Sequence, residues 1–579
     1  VKISMQELDP DDAPFDRIVL RAFRSIDDEV TLLDGIGFTK ADANAGSAHA
    51  GPAAYAVSGK PAQLRIACDA RATKVSPLIY GIGSTYEKDT QQWEVGATLR
   101  RWGGNPTSTY NWELSVWNSG SDWYFENHPS EPTWAKYLAE DADQGVMTAL
   151  TVPMLGWVAK DGTSGSFPVS AYGPQGKADP YHPEFGDGTS KSGAKLTPTM
   201  PPRASVPAPP EWVKRWVTTI RAADAKTGKR SVHQYILDNE PMLWNKTHRD
   251  VRTEPLGYDE LLQRTIDYGA AVREADPDAV IAGPTFWGWT GYFYSAKDVA
   301  INYRLKPDRR AHDDVPLAEW YLRKLREHEQ QTGVRILDVF DLHFYPGGEN
   351  VYGGGAGGSD PKTQALRLRQ TRSLWDPSYV DESWINDTVR LLPRMKEWVE
   401  KNYPGRGISI GEWSFGGEGD ITGALSTAEA LGRFAQFGVT SAAYWTIPPK
   451  ASPSLQGFLA FRNFDGKGGH FLDAYLPTTS PPGLSLFASR DAEGKHVVAV
   501  VINMSADAAV MGTVDMSGCG PVASRQTYGY AQGAVGFAPI GPPRETSHAG
   551  AATFDQVFPP WSMTVVDIRL AQALGGSIE

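Results

Sequence analysis

Two glutamates carry the chemistry that this sequence offers most clearly. Glu240 stands in Tyr235-Ile236-Leu237-Asp238-Asn239-Glu240-Pro241, where an apolar run ends in an acid preceded by an amide. Pro241 stops a strand ladder and restricts Glu240 toward an extended geometry. Glu412 stands in Ile408-Ser409-Ile410-Gly411-Glu412-Trp413, again just beyond a short apolar run, beside a glycine that leaves room for close approach. Either acid alone reads equally well as a helix-start or strand-end carboxylate. As a pair facing one cleft from two strands, they are the equipment for glycoside hydrolysis. One must stay protonated to release the leaving oxygen, and the other must be ionised to attack the anomeric carbon. Carboxyl groups about 5–5.5 Å apart imply retention through a covalent intermediate; about 6.5–9.5 Å leaves room for water and implies inversion.

Further polar and aromatic residues follow other short apolar runs. Arg101, Trp102 and Asn105 put a guanidinium, an indole and an amide in one segment, a mix that suits sugar hydroxyls and ring faces as well as it suits a capped turn. Tyr345 could orient an ionised glutamate. His343 could do the same, bind a hydroxyl, or be a core histidine bonded to backbone. Trp445 could floor a sugar ring or pack a barrel core, and Trp287, with Trp289 and Tyr292, could wall the cleft. There is no His-Glu-x-x-His, no EF-hand spacing and no Gly-x-Ser-x-Gly, so zinc-peptidase, calcium-sensor and serine-hydrolase readings have no support.

The elements that must position these residues alternate along the chain. Candidate strands at 78–82, 98–102, 147–153, 231–237, 280–282, 339–344, 408–410 and 441–445 are interleaved with candidate helices at 132–144, 211–227, 258–275, 317–332, 384–402 and 427–437. Eight such strands predict an α/β fold, a (β/α)8 TIM barrel over 76–475, with chemistry at the C-terminal strand ends. Residues 1–75, with strand-like runs at 16–23 and 63–68, and residues 476–579, with runs at 484–488, 495–503 and 563–570, are expected to form one β-sandwich domain built from both chain termini. The stretches 156–210 and 347–358 are rich in glycine, proline and serine and are expected to be irregular loops.

Composition narrows the partners. At 579 residues more than one domain is expected, and 41% apolar with 21% charged residues excludes a disordered chain. Lys+Arg 56 against Asp+Glu 68 leaves a net charge of −12, which weighs against nucleic acid and favours a neutral substrate. No run of about 20 apolar residues exists, so no membrane span is expected. The start at Val1-Lys2-Ile3 fits a mature or trimmed product, and a secreted or extracellular location with the signal peptide removed is the expectation. The two cysteines, Cys68 and Cys519, are expected as buried free thiols, with one bridge left open should their segments meet.

Taken in order, RWGGNPTSTYNWE (101–113), NSGSDWYFEN (118–127), YILDNEPMLW (235–244), DVFDLHFYP (338–346), ISIGEWSFGGEGDITGAL (408–425) and FRNFDGKGGHF (461–471) resemble glycoside hydrolase family 44. The resemblance implies a retaining endo-acting β-1,4-glycanase, of endoglucanase or xyloglucanase type, with a barrel and a β-sandwich. It implies Glu240 as acid/base and Glu412 as nucleophile. On this reading the charge of Glu412 raises the proton affinity of Glu240, Asn239 holds the sugar 2-hydroxyl, and Arg101, Asn105, His343, Tyr345 and Trp445 line the reactive subsite. Members often carry Tyr where this chain has Trp413, which would alter the wall beside the reactive sugar. No cofactor is needed for the chemistry. Some members hold a structural calcium ion, whose ligands the motifs do not identify. The expected partner is a polysaccharide and the expected state a monomer. Mannan or another β-linked polymer as substrate, and a non-hydrolytic carbohydrate-binding protein, are the alternatives.

Overall fold

The structure, a computed structural model, describes residues 60–83, 93–352, 357–545 and 552–575. The candidate strand at 16–23 lies outside the described residues. Eight parallel strands close into a barrel: β1 (Gly81–Gly83), β2 (Leu99–Trp102), β3 (Met147–Val152), β4 (Val232–Leu237), β5 (Ile281–Ala282), β6 (Val339–Phe344), β7 (Gly407–Trp413) and β8 (Ser441–Trp445), each paired with its sequence neighbours and β8 with β1.

Helices cover the barrel: α1 (Trp134–Gln144), α2 (Pro210–Thr227), α3 (Tyr258–Ala275), α4 (Leu317–Thr332), α5 (Leu391–Asn402), α6 (Ile421–Gln436) and α7 (Pro453–Arg462). Their ends follow local chemistry. Thr133 caps α1 by accepting from the Lys136 amide, and Gly145, Gly228 and Gly333 end α1, α2 and α4 in left-handed backbone. Two helices start elsewhere than the periodicity predicts. α6 begins six residues before the expected Thr427 because Asp420 accepts from the Thr422 amide and caps it there. α5 begins at Leu391 rather than at Trp384, because Asn386 and Arg390 take left-handed backbone that a helix cannot contain.

Strand alternation explains how the barrel interior changes character along its axis. Leu99, Ala149, Ile236, Ala282 and Val339 form one apolar layer inside. Two residues further along the same strands stand Arg101, Asp238 and Asp341, and two beyond that His343. Apolar packing therefore fills one end, and ionisable groups converge at the C-terminal end.

Two more sheets form a β-sandwich. One runs Thr478–Thr479, Ala62–Ile66, Val510–Asp515, Thr553–Phe558; the other includes Thr73–Lys74, Ala474–Leu476, Leu484–Arg490, His496–Asn503, Ser562–Leu570 and Val522–Ala531. Leu64, Ile66, Leu486, Val501, Val514, Phe558 and Ile568 fill the space between them. The second sheet is buried on its other face too, where Phe487, Val498, Val500 and Val565 join the core that contains Phe434 of α6. That double burial is why 497–502 is an unbroken apolar run instead of an alternating one. Burying Phe487 alone contributes about 2–3 kcal/mol relative to exposure.

Two expectations are corrected. Cys68 and Cys519 are not free thiols but form a disulfide, closing a separation of 451 residues. Ala62–Ile66 pairs in parallel with Val510–Asp515, so the residues just beyond both strand ends arrive side by side, with Cα atoms 4.9 Å apart. The 156–210 segment is also more regular than expected. Trp157–Ala159 pairs with Ser205–Pro207, which closes the excursion at its base, and Val169–Tyr172 forms one helical turn.

Candidate active site

The C-terminal mouth of the barrel gathers side chains from five strands. Arg101 comes from β2, and its guanidinium lies flat over Gly103, where any Cβ would fall 2.2 Å from Nη1. Nη1 donates to Oε1 of Glu412 at 2.7 Å, and Nη2 donates to Oδ1 of Asn239 at 2.9 Å. Tyr345, just past β6, donates its hydroxyl to Oε2 of Glu412 at 3.0 Å. Glu412 is thus held on one oxygen by a cation and on the other by a phenol.

Glu412 reaches this place through a β-bulge. The register between β6 and β7 shifts where Leu342 pairs with Ile410 and His343 pairs with Glu412. Unbroken alternation from Ile408 and Ile410 would send Glu412 outward with them; the extra residue, Gly411, reverses the sense. Gly411 also faces the Asp341 carboxylate so closely that a Cβ would lie 2.7 Å from Oδ1. Trp413 consequently points out of the barrel, fully buried among Phe434, Tyr444 and Phe458. Its expected place beside the reactive sugar is corrected: it is packing between strand and helices. Trp102 is corrected for the same reason. It follows the inward Arg101, so it faces outward and packs edge-on against Tyr110 and Tyr137.

Glu240 sits on the turn after β4, in left-handed backbone with φ 44°, not in the extended geometry expected ahead of Pro241. His343 links it to Glu412: Nδ1 lies 2.7 Å from Oε1 of Glu240 and 3.3 Å from Oε2 of Glu412. Nε2 of His343 lies 3.3 Å from Nη2 of Arg101. Arginine can only donate, so Nε2 accepts and the proton sits on Nδ1, facing the carboxylates. Burial lowers the imidazole to about 4, which keeps it neutral. Burial also pushes Glu240 up to about 8, with Arg101 opposing and Asp122 adding. The cause therefore differs from the expected one: removal from water raises Glu240, not the charge of Glu412.

The remaining sequence candidates take these positions. Asn239 donates to Oδ1 of Asn105 at 3.1 Å, and Asn105 donates to Asp122 at 2.9 Å, so an amide chain runs outward from Arg101. Trp445, half-buried at the end of β8, lies with its ring centroid 5.8 Å from the Arg101 guanidinium carbon. Trp287 lines a cavity of about 250 Å³ beside Glu240, together with Leu243, Trp289, Tyr345, Trp384 and Ile385. Asp122 and Trp384 were not singled out from sequence. Asp122 lies inside the recognised NSGSDWYFEN stretch, and Trp384 is a large apolar residue left 63% exposed, which an expected helix had concealed.

The structural calcium implied by the resemblance can be tested on one cluster. Single donor atoms of Glu126, Asp179 and His182 lie within 4.8 Å of one another. Glu126 and Asp179 are buried, and Oε1 of Glu126 has no hydrogen-bond partner among the described residues. Two buried carboxylates with a spare oxygen fit a hard dication. The exposed imidazole of His182 does not, since calcium takes oxygen ligands.

Comparison with known proteins agrees with this geometry. The family model for glycoside hydrolase family 44 matches residues 116–348. Endoglucanase A of Paenibacillus lautus is 30% identical over 508 residues, covering 83% of this chain and 69% of the relative. CelM2, a bifunctional glucanase-xylanase from a metagenome library, superposes with a TM-score of 0.82 at 32% identity, covering 89% of this chain and 100% of that one. A Paenibacillus polymyxa xyloglucanase of family 44, solved with xyloglucan, gives 0.73 at 25% identity, covering 88% of this chain and 100% of that one. With a relative at this identity matched over more than two thirds of its length, an eight-stranded barrel and a β-sandwich, the chain belongs to glycoside hydrolase family 44 and is a glycoside hydrolase.

Proposed function

We propose that this enzyme is a retaining endo-β-1,4-glycanase acting on glucan backbones, of the undecorated cellulose type or xyloglucan. One observation carries the stereochemistry: a carboxylate oxygen of Glu240 and one of Glu412 lie within 4.8 Å of each other. An oxygen-to-oxygen approach this close favours the short carboxyl spacing of double displacement over the wider spacing of an inverting pair with water between them.

The roles follow from the surroundings. Glu412, charged against Arg101, attacks the anomeric carbon and forms a glycosyl ester. Glu240, which burial keeps protonated at neutral pH, gives its proton to the departing oxygen. Glu240, now ionised, takes a proton from water, and the resulting nucleophile cleaves the ester and frees Glu412. As the ester forms, Glu412 loses its negative charge. The neutral imidazole of His343 and the phenol of Tyr345 can then turn their hydrogen bonds to the sugar or to Glu240. Asn239, pinned through Oδ1 by Arg101, sits where it can bind the 2-hydroxyl, a contact that strengthens in the oxocarbenium-like transition state.

A structural calcium ion, where bound, would be held by Glu126 and Asp179 and would neutralise their buried charge. The disulfide supports a secreted protein, because such bonds persist in oxidising compartments. Among the described residues the proposed domain limits are 60–75 and 474–575 for the sandwich and 76–473 for the barrel, in a monomer that binds polysaccharide. Proton NMR of the first anomer released, run on undecorated glucan, xyloglucan, xylan and mannan, tests the proposal. A β-anomer from glucan or xyloglucan supports it. An α-anomer, or release only from mannan or xylan, overturns it.

A further inference from the structure

Asp238 stands two residues before Glu240 and is fully buried. Its backbone is left-handed, φ 65°, as is that of Glu240 at φ 44°. Residues with a Cβ seldom hold that conformation, so two of them in three positions need outside support. The support converges on one side chain. Oδ1 of Asp238 accepts from the Ser108 hydroxyl and from the Asn239 amide at 2.7 Å. Oδ2 accepts from the amides of Met154 at 2.5 Å and Leu155 at 3.0 Å. The main chain adds two more ties: the Asp238 amide donates to Val152 O at 3.1 Å, and its carbonyl accepts from the Thr285 amide at 3.3 Å.

Apart from Asn239, these partners lie at the end of β3 or in the segments that follow β2, β3 and β5, so one residue just past β4 ties together the ends of four consecutive barrel strands. All four donors to the carboxylate, one hydroxyl and three backbone amides, are uncharged, and they saturate both oxygens. An asparagine of the same shape would turn an NH2 group toward either the Ser108–Asn239 donors or the Met154–Leu155 donors. Half of the hub would be lost whichever way it flipped.

We propose that Asp238 is a positioning residue: it fixes the Asn239–Glu240 turn so that the carboxyl of Glu240 is aimed at the leaving-group oxygen. This rests on the acid role proposed for Glu240. It makes Asp238 matter for protonation of the leaving group more than for attack by Glu412, which is held separately by Arg101 and Tyr345.

Leaving-group dependence separates that role from a general loss of structure. On kcat/KM for aryl β-cellotriosides, Asp238→Asn is expected to lose at least about 10²-fold with phenol as leaving group and under about 5-fold with 2,4-dinitrophenol, which needs no proton. Ser108→Ala, which removes one of the four donors, should show the same bias more weakly, and it carries the test if Asp238→Asn does not fold. Equal losses on both substrates, or none on the phenyl glycoside, would overturn the proposal. Glu240→Gln is the control. If it shows no leaving-group bias, the acid assignment itself fails; if it shows the bias and Asp238→Asn does not, only the hub fails.

Discussion

Arg101 donates from Nη1 to Oε1 of Glu412 at 2.7 Å, and both side chains are nearly sealed from water, at 1% and 8% exposure. The two residues are 311 positions apart. Their pairing divides the labour between two otherwise similar acids. Glu412 has the guanidinium as its direct partner, while the neighbouring Glu240, buried without a cation of its own among the described residues, is driven toward its neutral form.

Arg101→Lys should therefore cost more than a conservative change suggests. An ammonium can neutralise Glu412 but cannot also fork to Asn239 and His343. We expect kcat/KM on polysaccharide to fall by about 10²-fold or more with little change in KM. A variant within about 3-fold of the parent enzyme would show that the fork is dispensable.

The proton on Glu240 sets the pH dependence. Activity should decline as pH rises through about 8, where Glu240 ionises in the free enzyme. Glu240→Gln should lower turnover by at least about 10³-fold and abolish that limb. Folding stability shares the sign: the folded state keeps this proton up to about 8 while the unfolded chain releases it near the ordinary carboxyl value. The folded state then binds more protons, so this group's contribution to stability falls as pH rises across that window. His343, lowered to about 4, acts oppositely, and its contribution falls as pH drops from its ordinary value toward 4. Urea unfolding at several pH values in the Glu240→Gln and parent proteins checks the first sign.

Cys68→Ser or Cys519→Ser should lower stability by about 2–4 kcal/mol, because the bridge closes a very long loop in the unfolded chain. Both residues belong to the sandwich, so activity at 25 °C should stay near normal while the urea midpoint drops. Unchanged midpoints with and without reductant would argue that the bridge adds nothing.

Calcium in excess should raise the thermal midpoint and EDTA should lower it, by mass action on the folded state. Glu126→Gln should remove the response. Stabilisation that persists in Glu126→Gln places the ion elsewhere.

Much of the fold was legible because its signals are local. Apolar runs of strand length alternate with helical periods, and β6, β8, α3 and α4 fall where those patterns put them. The acids at 240 and 412 were legible for the same reason, since each sits against the end of an apolar run beside a proline or a glycine. The errors also have local causes. Trp102 and Trp413 each adjoin an inward-facing charged residue, and adjacency in a strand means the opposite face. The start of α5 was misplaced because left-handed residues at Asn386 and Arg390 leave no mark in hydrophobic period.

What the sequence determined by itself is therefore a set of residue types on elements of known period: a barrel, a second β domain, and two acids at strand ends. Tertiary structure decided everything that depends on distance and on water. A single extra residue at Gly411 turned Glu412 inward, against the alternation of its own strand. A parallel strand pairing joined Cys68 to Cys519 across almost the whole chain. Closure of the barrel buried Glu240 beside an imidazole and gave Glu412 a guanidinium, and on that difference in surroundings rests the proposal that one acid is the proton donor and the other the nucleophile. Charge state depends on desolvation and on partners a few ångströms away, and no pattern of neighbours along a chain encodes those.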